Sequence, residues 1–148
     1  MKADKIALDA HWPFLRHKLL LVKEKAKKGL IRWIPEQVRF AIMAGLLGQS
    51  SVELFFVLGE HDEISAFVIT TTNVDPFLHV PMDFELWIGW SGKLGLLDDM
   101  ESEIEKVALA RGCTGIQHTS PRLAWGRRTK RMGYRIRNIV WRKALVEE

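Results

Sequence analysis

Three glycines punctuate one short stretch of the chain at even spacing. They are Gly89, Gly92 and Gly95, and they lie between an aromatic-rich segment and a segment with helical periodicity. A glycine-rich loop that opens a helix can direct backbone N–H groups toward the phosphates of a ligand. The same pattern also fits a plain turn that joins a strand to the next helix. Both interpretations stay open from the sequence.

Two side chains near this stretch are candidates for proton transfer. Glu85 lies in the segment FELWIGW, whose alternation is typical of a strand and places Phe84, Leu86 and Ile88 together on the opposite face. If that face is the core, Glu85 faces solvent. His118 ends a short predicted strand, where it could face a cleft as a base or simply be a polar strand end.

Metal binding and thiol chemistry have less support. The five histidines show no ligand-like spacing with one another, with carboxylates or with the single cysteine, so we expect no metal site. Cys113 follows the predicted helix stop and is interpreted as a packing residue rather than a nucleophile. One cysteine cannot form an internal disulfide, which fits a reducing compartment. The histidines are His11, His17, His61, His79 and His118.

The positive charges are unevenly distributed along the chain. Lysine plus arginine number 22 and aspartate plus glutamate 18, which gives a net charge of +4 and a pI near 9.4. Two basic clusters could attract the phosphates of a cofactor or of nucleic acid, bind an acidic protein, or be solvated faces. They consist of Lys18, Lys23, Lys25, Lys27 and Lys28, and of Arg122, Arg127, Arg128, Lys130, Arg131, Arg135, Arg137, Arg142 and Lys143.

The elements that must position these residues begin with two predicted helices. Asp9 is the predicted N-cap of the first, which carries an apolar stripe and ends at Gly29. Pro35 suits the first position of the second, which ends at Gly48. A further strand is predicted at residues 3–8.

The period then changes to that of strands. Residues 52–58 and 64–72 are rich in β-branched and aromatic side chains and predict a β-hairpin. Two prolines within residues 73–82 predict a loop, and residues 84–90 form the next strand. The remaining predicted elements are a helix over 97–111 stopped by Gly112, a strand over 114–118, a basic helix from Ser120 and Pro121 to Gly133, and a strand over 134–144.

Length and composition set the broad class. With 148 residues and no linker or repeat, the chain is predicted to be a single domain over residues 1–148. No apolar run is long enough to span a bilayer and no secretory signal is present, so we expect a cytoplasmic protein without membrane contact. Antiparallel hairpins followed by a strand–helix–strand crossover predict an α+β fold with a mixed, mostly antiparallel sheet flanked by helices.

This order of elements resembles the GNAT superfamily of N-acetyltransferases, and within it the short GNAT-like proteins of bacteriophages. Three stretches that together span most of the chain carry the resemblance, although each motif is loose. They are MAGLLGQSSVELFFVL, LWIGWSGKLGLLDDMESEIEKVALARGC and SPRLAWGRRTKRMGYRIRNIVWRKAL.

The resemblance implies that the glycine-rich loop binds the pyrophosphate of acetyl-coenzyme A through its backbone N–H groups and the start of the next helix. Gly92 takes the place of the family's central glycine, but Gly89 stands where glutamine or arginine is usual and Leu94 where a second small residue is usual. Gly95 could restore close backbone approach, and Lys93 could supply a charge. The implied cofactor-binding residues are Trp90, Ser91, Gly92, Lys93, Leu94 and Gly95.

Two features of the same loop affect whether it can bind a pyrophosphate. Asp98 and Asp99 in the first helical turn oppose a diphosphate, because they already occupy the positive end of the helix dipole. For a cofactor to bind, the chain between Trp90 and Leu96 must leave its neighbouring strand and point its amide hydrogens into an open crevice.

The resemblance also implies a catalytic arrangement. A carboxylate on the fourth strand of the family is a common base, and Glu85 matches that segment, with His118 as another candidate. The family's acid is a tyrosine four residues before a Gly-aromatic pair. Gly133 and Tyr134 form that pair, so Thr129 occupies the acid position, and its hydroxyl is a far poorer acid than a phenol.

The sequence therefore leaves three functions open. The first is an acyl-CoA-dependent N-acyltransferase-like protein, encoded by a phage, with a degenerate pyrophosphate loop. The second is a catalytically inactive protein of this fold that contacts phage structural proteins in an oligomeric virion assembly. The third is a basic nucleic-acid-binding accessory protein, which the C-terminal arginines suggest although no sequence-reading motif accompanies them.

Overall fold

Three helices and four strands make up the part of the chain that the structure describes. The structure is a computed structural model, and it describes residues 1–26, 31–93, 95–118, 131, 133–135, 143 and 145. The elements in chain order are α1 (Lys5–Lys25), α2 (Pro35–Leu46), β1 (Glu53–Leu58), β2 (Ile64–Val74), β3 (Pro81–Ser91), α3 (Leu96–Ala110) and β4 (Gly115–His118).

The four strands form one mixed sheet in the order β1-β2-β3-β4. The β1–β2 and β2–β3 pairs are antiparallel, and the β3–β4 pair is parallel with α3 as its crossover. The predicted α+β class with a mixed, mostly antiparallel sheet is confirmed.

The sheet separates two apolar cores. On one face, the buried sides of α1 and α2 pack on β1, β2 and the end of β3; on the other face, α3 packs on the same strands. Burial of both sheet faces explains why β1 and β2 have continuous apolar runs rather than strict alternation. The α1/α2 face includes Leu8, Leu19, Val38, Ile42, Phe56 and Phe67, and the α3 face includes Phe55, Val68, Phe84, Met100 and Ile104.

The first helix begins one turn earlier than its predicted N-cap. Asp4 caps α1, because its carboxylate accepts the Ala7 N–H at 2.8 Å. Asp9 is instead on the outer side, where it pairs with Arg39 at 2.8 Å. The predicted strand at residues 3–8 is wrong, because the chain is helical from Lys5. The isolated bridge with Phe55 is made by Lys2, just before the predicted range.

The loop predicted at residues 73–82 is shorter in the structure. Strand β2 runs to Val74 and β3 starts at Pro81, so the reversal covers only residues 75–80. The Asp75 carboxylate accepts the N–H groups of Phe77 and Leu78, which is the Asx geometry that makes a tight turn. Pro81 is tolerated because it is the first residue of its strand.

A β-bulge in β3 overturns the predicted alternation. Ile88 lies opposite Ile69, but Leu86 lies opposite Thr70, so Trp87 is an extra residue in β3. Phe84 and Leu86 therefore pack on the α3 face and Ile88 on the α1/α2 face. All three are buried, as expected, but they do not share a face.

The predicted final helix and strand fall largely outside the described residues, so both stay predictions.

Gly112 has the left-handed backbone of a helix stop, with φ of 82°. Among the helices that the structure describes, none combines the length and apolar character needed to cross a bilayer.

Candidate active site

The glycine-rich loop stays attached to its neighbouring strand. Pairing between β2 and β3 continues to Ala66 and Ser91, and the Gly92 N–H then donates to the Ser65 carbonyl at 2.9 Å. The Lys93 N–H donates to the Ser91 hydroxyl at 3.2 Å. The expectation that this loop leaves β2 with outward-facing amides is therefore wrong at Gly92 and Lys93, because both donors are bonded within the protein.

Trp90 points into the protein rather than into a crevice. Its ring stacks on Phe67, with centroids 6.0 Å apart, and meets the edge of Phe14 at 5.5 Å. The Lys18 ammonium lies 4.7 Å from the Trp90 ring centroid. A Cβ atom at Gly92 would lie 3.2 Å from Cη2 of Trp90, so this glycine allows the loop to cross the indole closely.

The start of α3 is partly available to an anion. Gly95 is its N-cap with φ of 82°, and no side chain of the described residues forms a capping hydrogen bond there. Asp98 accepts a hydrogen bond from Arg131 at 3.2 Å, so its charge is partly compensated, whereas Asp99 is exposed. Uncapped N–H groups and the helix dipole favour an anion here, and Asp99 opposes it. Leu94 is outside the described residues.

Among the described residues, β4 pairs with only the first half of β3. The parallel pairing with β4 covers Asp83 to Leu86, and β3 then continues for five residues to Ser91. Among the described residues, none pairs with this second half of β3 on the β4 side. The bulge at Trp87 lies where the described pairing stops. The edge of β3 from Trp87 to Ser91, beside the end of β4, is called the gap below.

Glu85 lies at this point on the α1/α2 face. Its neighbours across the sheet are Thr71 on β2 and Gln117 on β4. The Asn73 side-chain amide donates to its carboxylate at 3.4 Å. All four side chains are half-buried, so the row is a polar patch of intermediate exposure rather than the fully solvated surface expected for Glu85.

His118 lies beside Glu85 in the sheet but on the opposite face. It pairs with Leu86, the last β3 residue joined to β4, and paired neighbours in a ladder share a face. Its ring meets the edge of Tyr134 at 6.3 Å, and the Tyr134 hydroxyl donates a hydrogen bond to Glu101 on α3. Glu85 and His118 therefore lie on opposite faces of the sheet at the point where the described β3–β4 pairing ends.

The other features considered from the sequence are Thr129, Cys113 and metal ligation. Thr129 is outside the described residues, and its assignment to the acid position stays a prediction. Cys113 is buried; burial raises the pKa of its thiol, and the charge of Asp83 raises that pKa further. Within the described ranges, no three histidine, cysteine or acidic side chains come together as metal ligands would.

Sequence reasoning missed several residues of this site. Asn73 and Gln117 lie beside Glu85 only because of strand register, which no local pattern reveals. Tyr134 and Glu101 are 33 positions apart. The only local signal was the Gly-aromatic pair at Gly133 and Tyr134.

The chain is similar to known proteins in structure but not in sequence. No family model and no curated protein sequence matches the chain. Solved structures do. An aminoglycoside N-acetyltransferase in complex with CoA is 16% identical, with a TM-score of 0.60 over 97% of this chain and 98% of that one. The chain has the GNAT fold.

Two further structures share the GNAT fold with this chain. A protein from Pyrococcus furiosus, provisionally assigned as an acetyl transferase, is 16% identical, with a TM-score of 0.70 over 98% and 99% of the two chains. A ribosomal-protein-alanine N-acetyltransferase from Brucella melitensis is 9% identical, with a TM-score of 0.64 over 95% and 94%. At these identities the likeness concerns the fold, and the fold expected from the sequence is confirmed.

Proposed function

We propose that this chain binds an acyl-coenzyme A in the gap between β3 and β4 and transfers the acyl group to an amine. One observation carries the proposal: β3 continues five residues beyond its pairing with β4. A free strand edge binds extended, amide-containing groups through main-chain hydrogen bonds. The pantetheine arm of coenzyme A is such a group, and a neighbour of the same fold is a complex with CoA.

Strand geometry identifies the donors on this edge. The Gly92 N–H points to β2, and successive N–H groups alternate between the two edges of a strand. The N–H groups of Gly89 and Ser91 therefore face the gap. We assign these two amides to the pantetheine arm, whereas Gly92 supports the loop by its close approach to Trp90.

The phosphates are assigned to the start of α3. Within the part of the chain that the structure describes, its first turn has no side-chain cap, Gly95 leaves space there, and the exposed Lys93 supplies a positive charge. Trp90 is half-buried beneath this segment and acts as its support. The amides of Gly92 and Lys93 are bonded within the protein, so the condition set from the sequence for phosphate binding by this loop is not met at these two residues. The proposal therefore places the phosphates on the start of α3 alone, with weaker binding than a fully open loop would give.

Two side chains are proposed to move the protons of acyl transfer. The amine nitrogen attacks the thioester carbonyl carbon, the new C–N bond forms and the C–S bond breaks. Glu85 takes the amine proton on the α1/α2 face, directly or through one water. His118, in its protonated form, donates a proton to the leaving thiolate from the other face. The gap between the strands lets both groups reach one thioester.

Binding is tested by calorimetry and amide exchange. Titration with acetyl-CoA is expected to give saturable heat, and NMR is expected to show slower exchange at Gly89 and Ser91 but not at Trp90 and Gly92, which already bond to β2. ADP, which lacks pantetheine, is the control and is expected to leave Gly89 unprotected. Absence of binding at millimolar acetyl-CoA would remove the proposal.

Catalysis is tested by substitution at the two proton carriers. Glu85→Gln and His118→Gln are expected to bind acetyl-CoA as the wild type does and to slow acetyl transfer to a primary amine by about 100-fold or more. Each should remove one limb of the pH–rate profile. An unchanged rate in Glu85→Gln would reject its role as the base.

A non-catalytic role is the second candidate, and the loop hydrogen bonds favour it. The donors of Gly92 and Lys93 are bonded inside the protein, which leaves fewer groups for a cofactor. In that case the fold serves as a scaffold, and acetyl-CoA gives neither heat nor a thermal shift. The virion and phage assignments, and the cytoplasmic location, stay predictions.

A further inference from the structure

We propose that the outer face of α2 is an interface that binds a second copy of this chain. The outer face consists of Phe40, Met43, Ala44 and Leu47, which are spaced i, i+3, i+4 and i+7 and therefore share one side of the helix. The inference goes beyond the proposed function, because it concerns a surface on α2 and not the gap or the cofactor loop.

The sequence of α2 is the first part of the evidence. Residues 40–47 read FAIMAGLL, so about two turns of helix carry no polar side chain on any side. Val38 and Ile42 are buried in the α1/α2 core, which accounts for one side of the helix. Phe40 and Leu47 on the other side are 76% and 70% exposed. A helix that is apolar all round is typical of one that is covered on both sides.

The charged side chains of α2 are held by α1. The Glu36 carboxylate accepts a hydrogen bond from Arg16 at 2.8 Å, and Arg39 donates one to Asp9 at 2.8 Å. These two ion pairs contribute no net charge to the border of the outer face. A second copy of a chain with a net charge of +4 can therefore approach this border without like-charge repulsion. A helix that binds an anionic membrane has lysine and arginine along its polar face instead.

The exposed apolar area matches that of a weak dimer. Ile6 on α1 is 80% exposed and lies one turn before Asp9, so it borders the outer face beside the pair of Asp9 and Arg39. With about 150–200 Å² for a fully exposed side chain of this size, Ile6, Phe40 and Leu47 present roughly 350–450 Å². Two copies contribute roughly 700–900 Å², which at an apolar share of about two-thirds corresponds to an interface of about 1,100–1,400 Å². This is the lower end for specific interfaces, so we expect a Kd of about 10–100 μM.

The spacing of the outer face suits a two-fold pairing with itself. When two copies of α2 cross antiparallel about an axis between Met43 and Ala44, Phe40 of each copy faces Leu47 of the other. The small Ala44 at this axis lets the helices approach closely. Each copy thus supplies both an aromatic side chain and the apolar surface that receives it, which is what a closed dimer requires.

The test is the molar mass of the full chain in solution. Sedimentation equilibrium from about 1 to 300 μM is expected to show a reversible change from 17.0 kDa to twice that mass. Phe40→Glu is expected to weaken dimerisation at least 30-fold. Phe77→Glu, which changes another exposed phenylalanine, in the turn between β2 and β3, is expected to leave it unchanged. A monomer over the whole range, or a dimer that persists in Phe40→Glu, would overturn the proposal.

A milder substitution and salt separate apolar contact from other causes. Leu47→Ser adds no charge and is expected to weaken dimerisation at least tenfold, with a circular dichroism spectrum like that of the wild type. About 0.5 M NaCl is expected to leave the dimer as tight or tighter, because salt does not screen apolar contacts. Dissociation in salt would assign the association to charged surfaces and reject the outer face.

Cross-linking tests the two-fold pairing in a Cys113→Ala background. A mixture of the Phe40→Cys and Leu47→Cys variants is expected to form disulfide-linked dimers faster than either variant alone, because only the mixture brings the two sulfur atoms together across the axis. Equal rates in all three samples would contradict the pairing. A chain that stays monomeric but sediments with phosphatidylcholine–phosphatidylglycerol vesicles has a lipid-binding face, and that result also rejects the dimer.

Discussion

Leu86 on β3 pairs with His118 on β4, and this is the last pair that joins the two strands. Beyond it, β3 bulges at Trp87 and continues to Ser91, paired with β2 but with no partner on the β4 side among the described residues. The pair therefore marks the point along β3 where the gap begins. The interactions that fix His118 and β4 at this point determine the shape of the candidate site.

The first prediction concerns Tyr134 and Glu101 beneath this pair. Glu101 is only 2% exposed, and its carboxylate accepts the Tyr134 hydroxyl. Tyr134→Phe removes a donor from a buried charge and is expected to lower the free energy of unfolding by about 2 kcal/mol. Urea denaturation measures the change.

A double-mutant cycle with Glu101→Gln supplies the control for Tyr134→Phe. If the two residues stabilise the fold through their hydrogen bond, the effects of the single substitutions are not additive. Strict additivity would show that the bond contributes nothing.

The second prediction concerns Thr70, whose hydroxyl is buried next to the bulge. No described group forms a hydrogen bond with its Oγ1, and the side chain is fully buried. Thr70→Val removes this unsatisfied hydroxyl at nearly constant volume and is expected to raise the free energy of unfolding by about 1 kcal/mol. Thr72→Val, at a half-buried position, is the matched control with little expected change. Destabilisation by Thr70→Val would indicate a bonding partner for the hydroxyl.

The third prediction reverses the usual effect of glycine replacement in a helix. An alanine Cβ at Gly45 in α2 would lie 2.0 Å from the Val52 carbonyl oxygen, which is backbone and cannot move freely. Gly45→Ala is therefore expected to destabilise the protein by about 1–3 kcal/mol, although helix propensity alone would favour alanine by about 1 kcal/mol. Phe40→Ala, an exposed change in the same helix, is the control. Thermal unfolding that shows a gain for Gly45→Ala would contradict the packing of α2 against the start of β1.

The fourth prediction concerns the pH dependence of stability. The pKa of Cys113 is raised above its ordinary value of 9.0, first by burial and then by the charge of Asp83. A raised pKa means that the unfolded chain loses this proton more readily, so stability is retained below about pH 9 and falls as the pH rises further. Cys113→Ala is expected to flatten this fall between pH 8 and 10 in urea titrations. An equally steep fall in the variant would assign the effect to another group.

Alkylation gives a second measurement for the same thiol. Iodoacetamide is expected to modify folded Cys113 slowly at pH 8, because the reactive thiolate is scarce and the sulfur is buried. Rapid modification of the folded protein would contradict the burial of this residue.

Local patterns were sufficient for most of the elements. The stripe in α2 from Pro35, the hairpin of β1 and β2, and the helix stop at Gly112 follow from period, proline position and glycine chemistry, all of which act over a few residues. The N-cap of α1 was misplaced because Asp4 and Asp9 are chemically equivalent caps. Only the hydrogen bond from Ala7 distinguishes them.

Local sequence signals predicted much less of the candidate site. Alternation along β3 predicted one face for Phe84, Leu86 and Ile88, but the bulge at Trp87 divides them between two cores. A bulge is decided by the register of the partner strand and by the packing on both faces, so a single strand's sequence does not encode it visibly. Outward-facing amides were expected for the loop because its pairing with β2 also depends on the partner strand. The hydrogen bond from the Gly92 N–H to the Ser65 carbonyl is therefore not visible in the local sequence.

The sequence by itself determined the order of helices and strands and hence the fold class, because propensity, periodicity and turn chemistry are local. Only the tertiary structure decided that Glu85 and His118 lie on opposite faces of the sheet where the described β3–β4 pairing ends, and that α1 holds the charged side chains of α2. Those relationships depend on strand register and on which faces the helices cover, and both are set by contacts between residues far apart in the chain.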